Sequence, residues 1–339
     1  MRIFGLLLLV LAVSAIAPQI AVARTLVVDD DRGCTDARFS TIQSAVDAAR
    51  PLDTVVACPG VYTEAVSVTT RQLKLVSRTR HAAVIRKPLD NTDFTPLVLL
   101  AASGTLFRGF ALEGAVDGSC GEDGAAIWIR ARPTTVDENR IADSGCNSFS
   151  RGIFMGSVGG SGTTTVAHNE VTDIGGQCCL PGLSIHMSFP RWATIHSNVI
   201  RRGNGVGMGI FNPSDVAVQG NRIEDTGSSG IVTLHGSGVS PNQMRISGNR
   251  IEGTAGHGIR ALDMPVGLTI EANTLLDNVG NGIMVERSPG FVHRNRSLGN
   301  GIPSGLFDCF ADSRALERGV TWKDNIGRTD DPANICRAP

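Results

Sequence analysis

Apolar residues along this chain come in short bursts, not long stripes. β-Branched runs of a few residues, divided by glycine, asparagine, aspartate and serine, recur from about residue 61 to residue 307. Such a pattern predicts short strands joined by turns. The bursts themselves repeat. VDENRIADSG, VAHNEVTDIG, IHSNVIRRGN, VQGNRIEDTG, ISGNRIEGTA, IEANTLLDNV and VHRNRSLGNG align on Asn139, Asn169, Asn198, Asn221, Asn249, Asn273 and Asn295. Their spacings are 30, 29, 23, 28, 24 and 22 residues, and Asn325 follows 30 residues later. Nine to thirteen residues beyond each asparagine stands glycine followed by isoleucine or leucine: Gly152-Ile153, Gly182-Leu183, Gly209-Ile210, Gly230-Ile231, Gly258-Ile259, Gly282-Ile283 and Gly305-Leu306.

A propeller blade needs about 40 residues and four antiparallel strands. Units of 22 to 30 residues fit one coil of a single-stranded right-handed parallel β-helix instead, an all-β solenoid. One coil cannot bury its own Ile, Val and Leu, so coils stacked at the strand spacing of about 4.8 Å build a shared core and three parallel sheets. The repeated asparagine reads as a structural ladder, its amide bonding its equivalent one coil on and its backbone taking the left-handed φ of a bend. A row of ligand-binding amides is the alternative. Asn295-Arg296-Ser297 matches a glycosylation sequon, yet that asparagine should point inward.

Both ends of a solenoid need caps. Ser40 or Thr41 can cap a helix that buries Ile42, Ala45, Val46 and Ala49, and Pro51 stops it. Residues 24–60 are thus expected to form an N-terminal cap with a capping helix, residues 61–307 the coils, and residues 308–339, which lose the rhythm, a C-terminal cap. Ahead of them, Arg2, the apolar run Ile3 to Ala17 and the small residues Ala21-Val22-Ala23 have the form of a secretory signal peptide over residues 1–23. The run is shorter than the roughly 20 residues that span a bilayer. A secreted or periplasmic location without a membrane span is the expectation.

Charge changes the picture mainly by exclusion. Lysine plus arginine number 31 against 32 acidic residues, with no long run of one sign, which argues against a nucleic-acid or anionic-membrane partner. Eight cysteines in an exported chain point to disulfides. Cys34 with Cys58 would clip the first cap and Cys309 with Cys336 the second. Cys120, Cys146, Cys178 and Cys179 fall in one turn region of three successive coils, so two bridges are expected among them, with a zinc tetrad as the alternative. No other metal or cofactor is expected, save that Asp29-Asp30-Asp31 resembles an oxygen-rich calcium patch. Lacking regular loop spacing, it reads as a solvated turn.

The stretch FSTIQSAVDAARPLDTVVACPGVYTEAVSVTTRQLKLVS, residues 39–77, resembles the opening coil of pectin-lyase-like β-helix proteins, pectinesterases especially, and residues 124–307 resemble the generic right-handed β-helix repeat. That resemblance implies a fold and leaves the chemistry open, because pectinesterases, polygalacturonases, pectate lyases, alginate epimerases, phage tailspikes and a periplasmic copper-enzyme maturation protein share it. Of the pectinesterase motifs only PGVYTE, residues 59–64, is present. The Asp-Pro-His-Asp of alginate epimerases is absent. Gly256-His257-Gly258 matches polygalacturonases, but their Asp pair and Arg-Ile-Lys are missing, and the match coincides with the repeat's own turn.

Chemistry is therefore sought on the outer face of the strands after each Gly-Ile pair. Alternation places Trp128, Arg130, Phe154, Ser184, His186, Phe211, Val232, Arg260, Met284, Glu286 and Phe307 there, with the cysteine-bearing turns as one wall. Trp128, Phe154 and Phe211 could stack on sugars, and Arg130 and Arg260, with Asp263 beside them, could meet acidic groups. The bland reading of this face is an apolar stripe covered by a loop or another chain. A lyase or epimerase would need a base and a cation, for which His186, His235, His257, Arg260 and Glu286 are the candidates. The expected function is an exported β-helix that binds or modifies an acidic polysaccharide by lyase, epimerase or hydrolase chemistry. A non-catalytic envelope protein binding glycans or a protein partner is the alternative, and oligomeric state stays open.

Overall fold

The computed structural model describes residues 22–88, 96–114, 124–142, 150–175, 182–236, 243–265 and 267–339. Within them the chain winds as a right-handed parallel β-helix. Among the described residues its strands stack into three sheets of 12, 11 and 10 strands, here sheets I, II and III, each complete coil giving one strand to each sheet and the end coils fewer. Sheet I runs from Thr25–Val28 to Thr321–Lys323, sheet II from Val66–Val68 to Asp330–Asp331, and sheet III from Gly60–Thr63 to Arg296–Leu298.

The core follows from alternation. In sheet II, Ile153, Ile185, Met208, Ile231, Ile259 and Ile283 pair in one inward row, and all are fully buried. On the outer face of sheet III, Arg86 pairs with Glu113, Arg201 with Glu170 and Glu224, and Arg250 with Glu252. Those charges are mutually satisfied and solvated, so the sheet needs no partner there.

That inward row corrects the expected register. Leu183 sits opposite Arg151, and Gly209-Ile210 sits opposite His186-Met187. Both Gly-apolar pairs are thus two residues out of step with Gly152-Ile153, because the strands here are six residues long and extend further on one side. Ser184 is consequently buried. Phe310, not Phe307, holds the outward place beside Met284.

The asparagine ladder forms. The backbone N–H and the Nδ2 of Asn139, Asn169, Asn198, Asn221, Asn249, Asn273 and Asn295 both donate to Oδ1 of the next ladder asparagine, ending at Asn325, at 2.9–3.0 Å. One detail differs from expectation. The left-handed φ belongs to the preceding residue, such as Glu138, His168, Ser197 and Gly248, which leaves the asparagine side chain free to turn inward.

Helix α1, Ile42–Ala48, closes the front with Ile42, Ala45 and Val46 buried. Thr41 is its N-cap, and the Glu64 carboxylate accepts the N–H groups of Ile42 and Gln43 at 2.7 and 2.9 Å. Tyr62 donates its hydroxyl to the Val28 and Cys58 carbonyls. PGVYTE therefore works here as cap architecture. At the back, helix α2, Ser313–Glu317, is capped by Asp312. Disulfides Cys34–Cys58 and Cys309–Cys336 clip the two caps. Cys120, Cys146, Cys178 and Cys179, and most of the expected signal peptide, lie outside the described residues. No helix among the described residues is long and apolar enough to cross a membrane.

Candidate functional site

Sheet II presents an aromatic row on its outer face. Leu99, Trp128, Phe154 and His186 stand side by side in successive coils, all half-buried. Ring centroids are 5.3 Å apart for Trp128–Phe154, 4.9 Å for Phe154–His186 and 5.3 Å for His186–Phe211. Phe211 belongs to the neighbouring outward row, opposite Ser188. It reaches the first because Gly209 leaves the rung empty: a Cβ there would lie 2.9 Å from the Phe211 ring and 2.5 Å from Leu183 Cδ2.

Arginines lie across these rings. The Arg130 guanidinium sits 5.2 Å from the Trp128 centroid and that of Arg151 5.1 Å from Phe154, the geometry of cation–π contact. Arg151 Nε donates to His186 Nδ1 at 3.0 Å. The other nitrogen, Nε2, must then carry the imidazole proton and donate to Ser188 Oγ, 2.9 Å away. Burial, reinforced by the Arg151 charge, pulls the His186 pKa down to about 4. His186 is thus a neutral ring with both nitrogens engaged, suited to stacking and poorly placed to remove a proton.

A groove of about 910 Å³ opens at the corner between sheets II and I. Turns of four successive coils line it, bringing Arg71, Gln72, Ser103, Arg130, Arg132 and Ser161 together with no acidic residue. Arg132 is nearly buried, gives its terminal nitrogens to the Arg191 and Gly160 carbonyls and stacks on Trp192. Its pKa is lowered by burial and then by Arg191. Beyond it a second hollow of about 500 Å³ adds Arg191 and the exposed rings of Phe189 and Trp192.

The remaining candidates lie further along. Arg260 and His186 share the outward row but are three coils, about 14 Å, apart. Arg260 Nε bonds Glu286 at 2.7 Å, and Asp263 is gripped by Arg287 at 2.6 and 2.7 Å, which lowers its pKa. His257 Nδ1 accepts the Asn281 N–H. Burial chiefly, and then Arg260, lower its pKa while Glu286 opposes them. His235 is buried in the corner before the next coil. So the structure groups Trp128, Arg130, Phe154, His186 and Phe211 at one end, and His257, Arg260, Glu286 and Asp263 at the other. Sequence reasoning missed Arg71, Arg132, Arg151, Ser188, Arg191 and Trp192. Only the outward alternation of the strand holding His186 could have flagged one of them, Ser188.

A family profile described as a right handed beta helix region matches residues 116–263. No curated protein matches in sequence. Among solved structures, the A-module of the Azotobacter vinelandii mannuronan C-5 epimerase AlgE6 is similar at 16% identity and TM-score 0.57, covering 83% of this chain and 78% of that one. The AlgE4 A-module from the same organism follows at 16% identity and TM-score 0.54, covering 83% and 80%. A structure of XylC with xylose matches at 12% identity and TM-score 0.53, covering 81% and 70%. At these identities the likeness speaks for the fold alone, a right-handed parallel β-helix.

Proposed function

We propose that this protein is exported and binds an acidic polysaccharide, with sugar rings against the Trp128–Phe154–His186–Phe211 row and acidic groups at the arginines beside it. One observation carries the reading: a groove lined by Arg71, Arg130 and Arg132 without a carboxylate lies next to a row of touching aromatic rings, tilted or edge-to-face to one another. Arginines with no counter-charge attract anions, and ring faces in series suit sugars. That the fold also serves in a mannuronan epimerase agrees with the reading.

Binding is favoured over turnover because His186 and Arg260, the base and the cation of the outward row, are already engaged. Arg260 is held by Glu286 and His186 by Arg151 and Ser188. The test is affinity for pectate, alginate and glycosaminoglycans against neutral glucans. Arg130→Ala should weaken acidic-glycan binding tenfold to a hundredfold, the value of a charge-assisted contact of about 1.5–3 kcal/mol. Arg260→Ala should weaken it less. Equal affinity for neutral and acidic chains would sink the proposal. Unsaturated products or new reducing ends, lost in His257→Gln or Glu286→Gln with binding retained, would establish the catalytic alternative instead.

A further inference from the structure

Asp29, Asp30 and Asp31 follow the first strand, and each offers a carboxylate oxygen within 4.8 Å of the others'. Asp30 and Asp31 are exposed, as in a solvated turn, but Asp29 is only 4% exposed. Each carboxylate is fixed by one backbone amide. Asp29 Oδ2 accepts the Cys34 N–H at 2.5 Å, Asp30 Oδ2 the Val61 N–H at 2.8 Å, and Asp31 Oδ1 the Gly33 N–H at 2.8 Å. The second oxygen of each is left over. That of Asp29, Oδ1, is buried with no hydrogen-bond donor. Gly60 keeps space at the third side, since a Cβ there would stand 2.0 Å from Asp30 Oδ1.

A buried carboxylate oxygen without a donor is costly, and two more carboxylates beside it add repulsion. None of the three forms an ion pair among the described residues. A bound cation would resolve both costs together. We propose that Asp29, Asp30 and Asp31 hold a calcium ion in the N-terminal cap. The donor set is all hard oxygen, which suits calcium or magnesium over zinc or copper. Sulfur is unavailable as a thiolate ligand, since Cys34 and Cys58 are bonded to each other. Three carboxylates on one short irregular loop, with water completing the shell, suit the variable geometry of calcium better than the strict octahedron of magnesium. The ion would tie the end of the first strand and the disulfide loop to the Gly60–Thr63 strand, through Asp30.

Titrating metal-stripped protein with calcium chloride alone in a calorimeter should show one equivalent bound, and the thermal midpoint should rise with calcium concentration as mass action requires. Asp29→Asn should abolish both effects. Asp31→Asn, at an exposed carboxylate bonded only within its own loop, should fold normally and bind at least tenfold more weakly. It decides the matter if Asp29→Asn does not fold. An unmoved midpoint and no heat at millimolar calcium would overturn the proposal, as would full binding retained in Asp31→Asn. Equal tightness for magnesium chloride would overturn the choice of ion.

Discussion

Asn249 shows how much one side chain can carry in a solenoid. Its Oδ1 accepts two donors from Asn221, and its Nδ2 donates to Val218, Ser247 and Asn273. Replacing it with leucine strands buried polar groups on both neighbouring coils. Asn249→Leu should destabilise by on the order of 3 kcal/mol in denaturant melts, and a neutral result would remove the ladder from the stability account. His186 makes a second residue-scale prediction. Its folded pKa of about 4 lies below the unfolded value of about 6.5, so the unfolded chain binds more protons between them. This residue therefore costs stability as pH falls from about 6.5 towards 4, and the cost is constant below that. His186→Phe, which keeps a ring in the row, should gain stability relative to the wild type across that window. A pH-independent difference would refute the assignment.

At the scale of elements, α1 is held by its own cap and by a residue from the first coil. Glu64→Ala leaves the Ile42 and Gln43 amides without their partner and should cost about 1–2 kcal/mol, against roughly 1 kcal/mol for Thr41→Ala. Equal and negligible losses in chemical denaturation would mean that the helix does not contribute to the cap. Here the sequence was legible in part. The position of α1 and its buried Ile42, Ala45 and Val46 follow from local periodicity, although the helix ends at Ala48 and leaves Ala49 as its extended, half-buried C-cap, and PGVYTE was visible as a motif. What Glu64 does was not, because its partners are 21 and 22 residues away. The same limit governs the site. Trp128, Phe154 and His186 lie on strands and obey alternation, so they could be placed. Arg71 and Arg132 come from corners of variable length, where no period reports direction, and Arg191 opens a strand whose next residue, Trp192, turns to a left-handed φ and breaks the alternation. Even the repeat misled where strands lengthen, as Ser184 shows.

For the whole molecule the balanced formal charge conceals an uneven distribution. The outer face of sheet III carries paired charges, whereas Arg71, Arg130, Arg132, Arg151 and Arg191 join no ion pair among the described residues. Affinity for an acidic glycan should therefore fall steeply as salt is raised from low to physiological strength, and less steeply in Arg130→Ala. A salt-independent affinity would point to purely apolar stacking. The asparagine ladder adds a directional property of its own. Every rung donates towards the C-terminal neighbour and accepts from the N-terminal one, so the amide dipoles line up head to tail and polarise one another. Unlike a helix, whose positive end is its N-terminus, this column is negative at Asn139 and positive at Asn325. The solenoid thus has an electrical head and tail. Its negative pole lies in the coil that carries Arg130 and Arg132, at the far end of the Thr134–Asp137 strand from them.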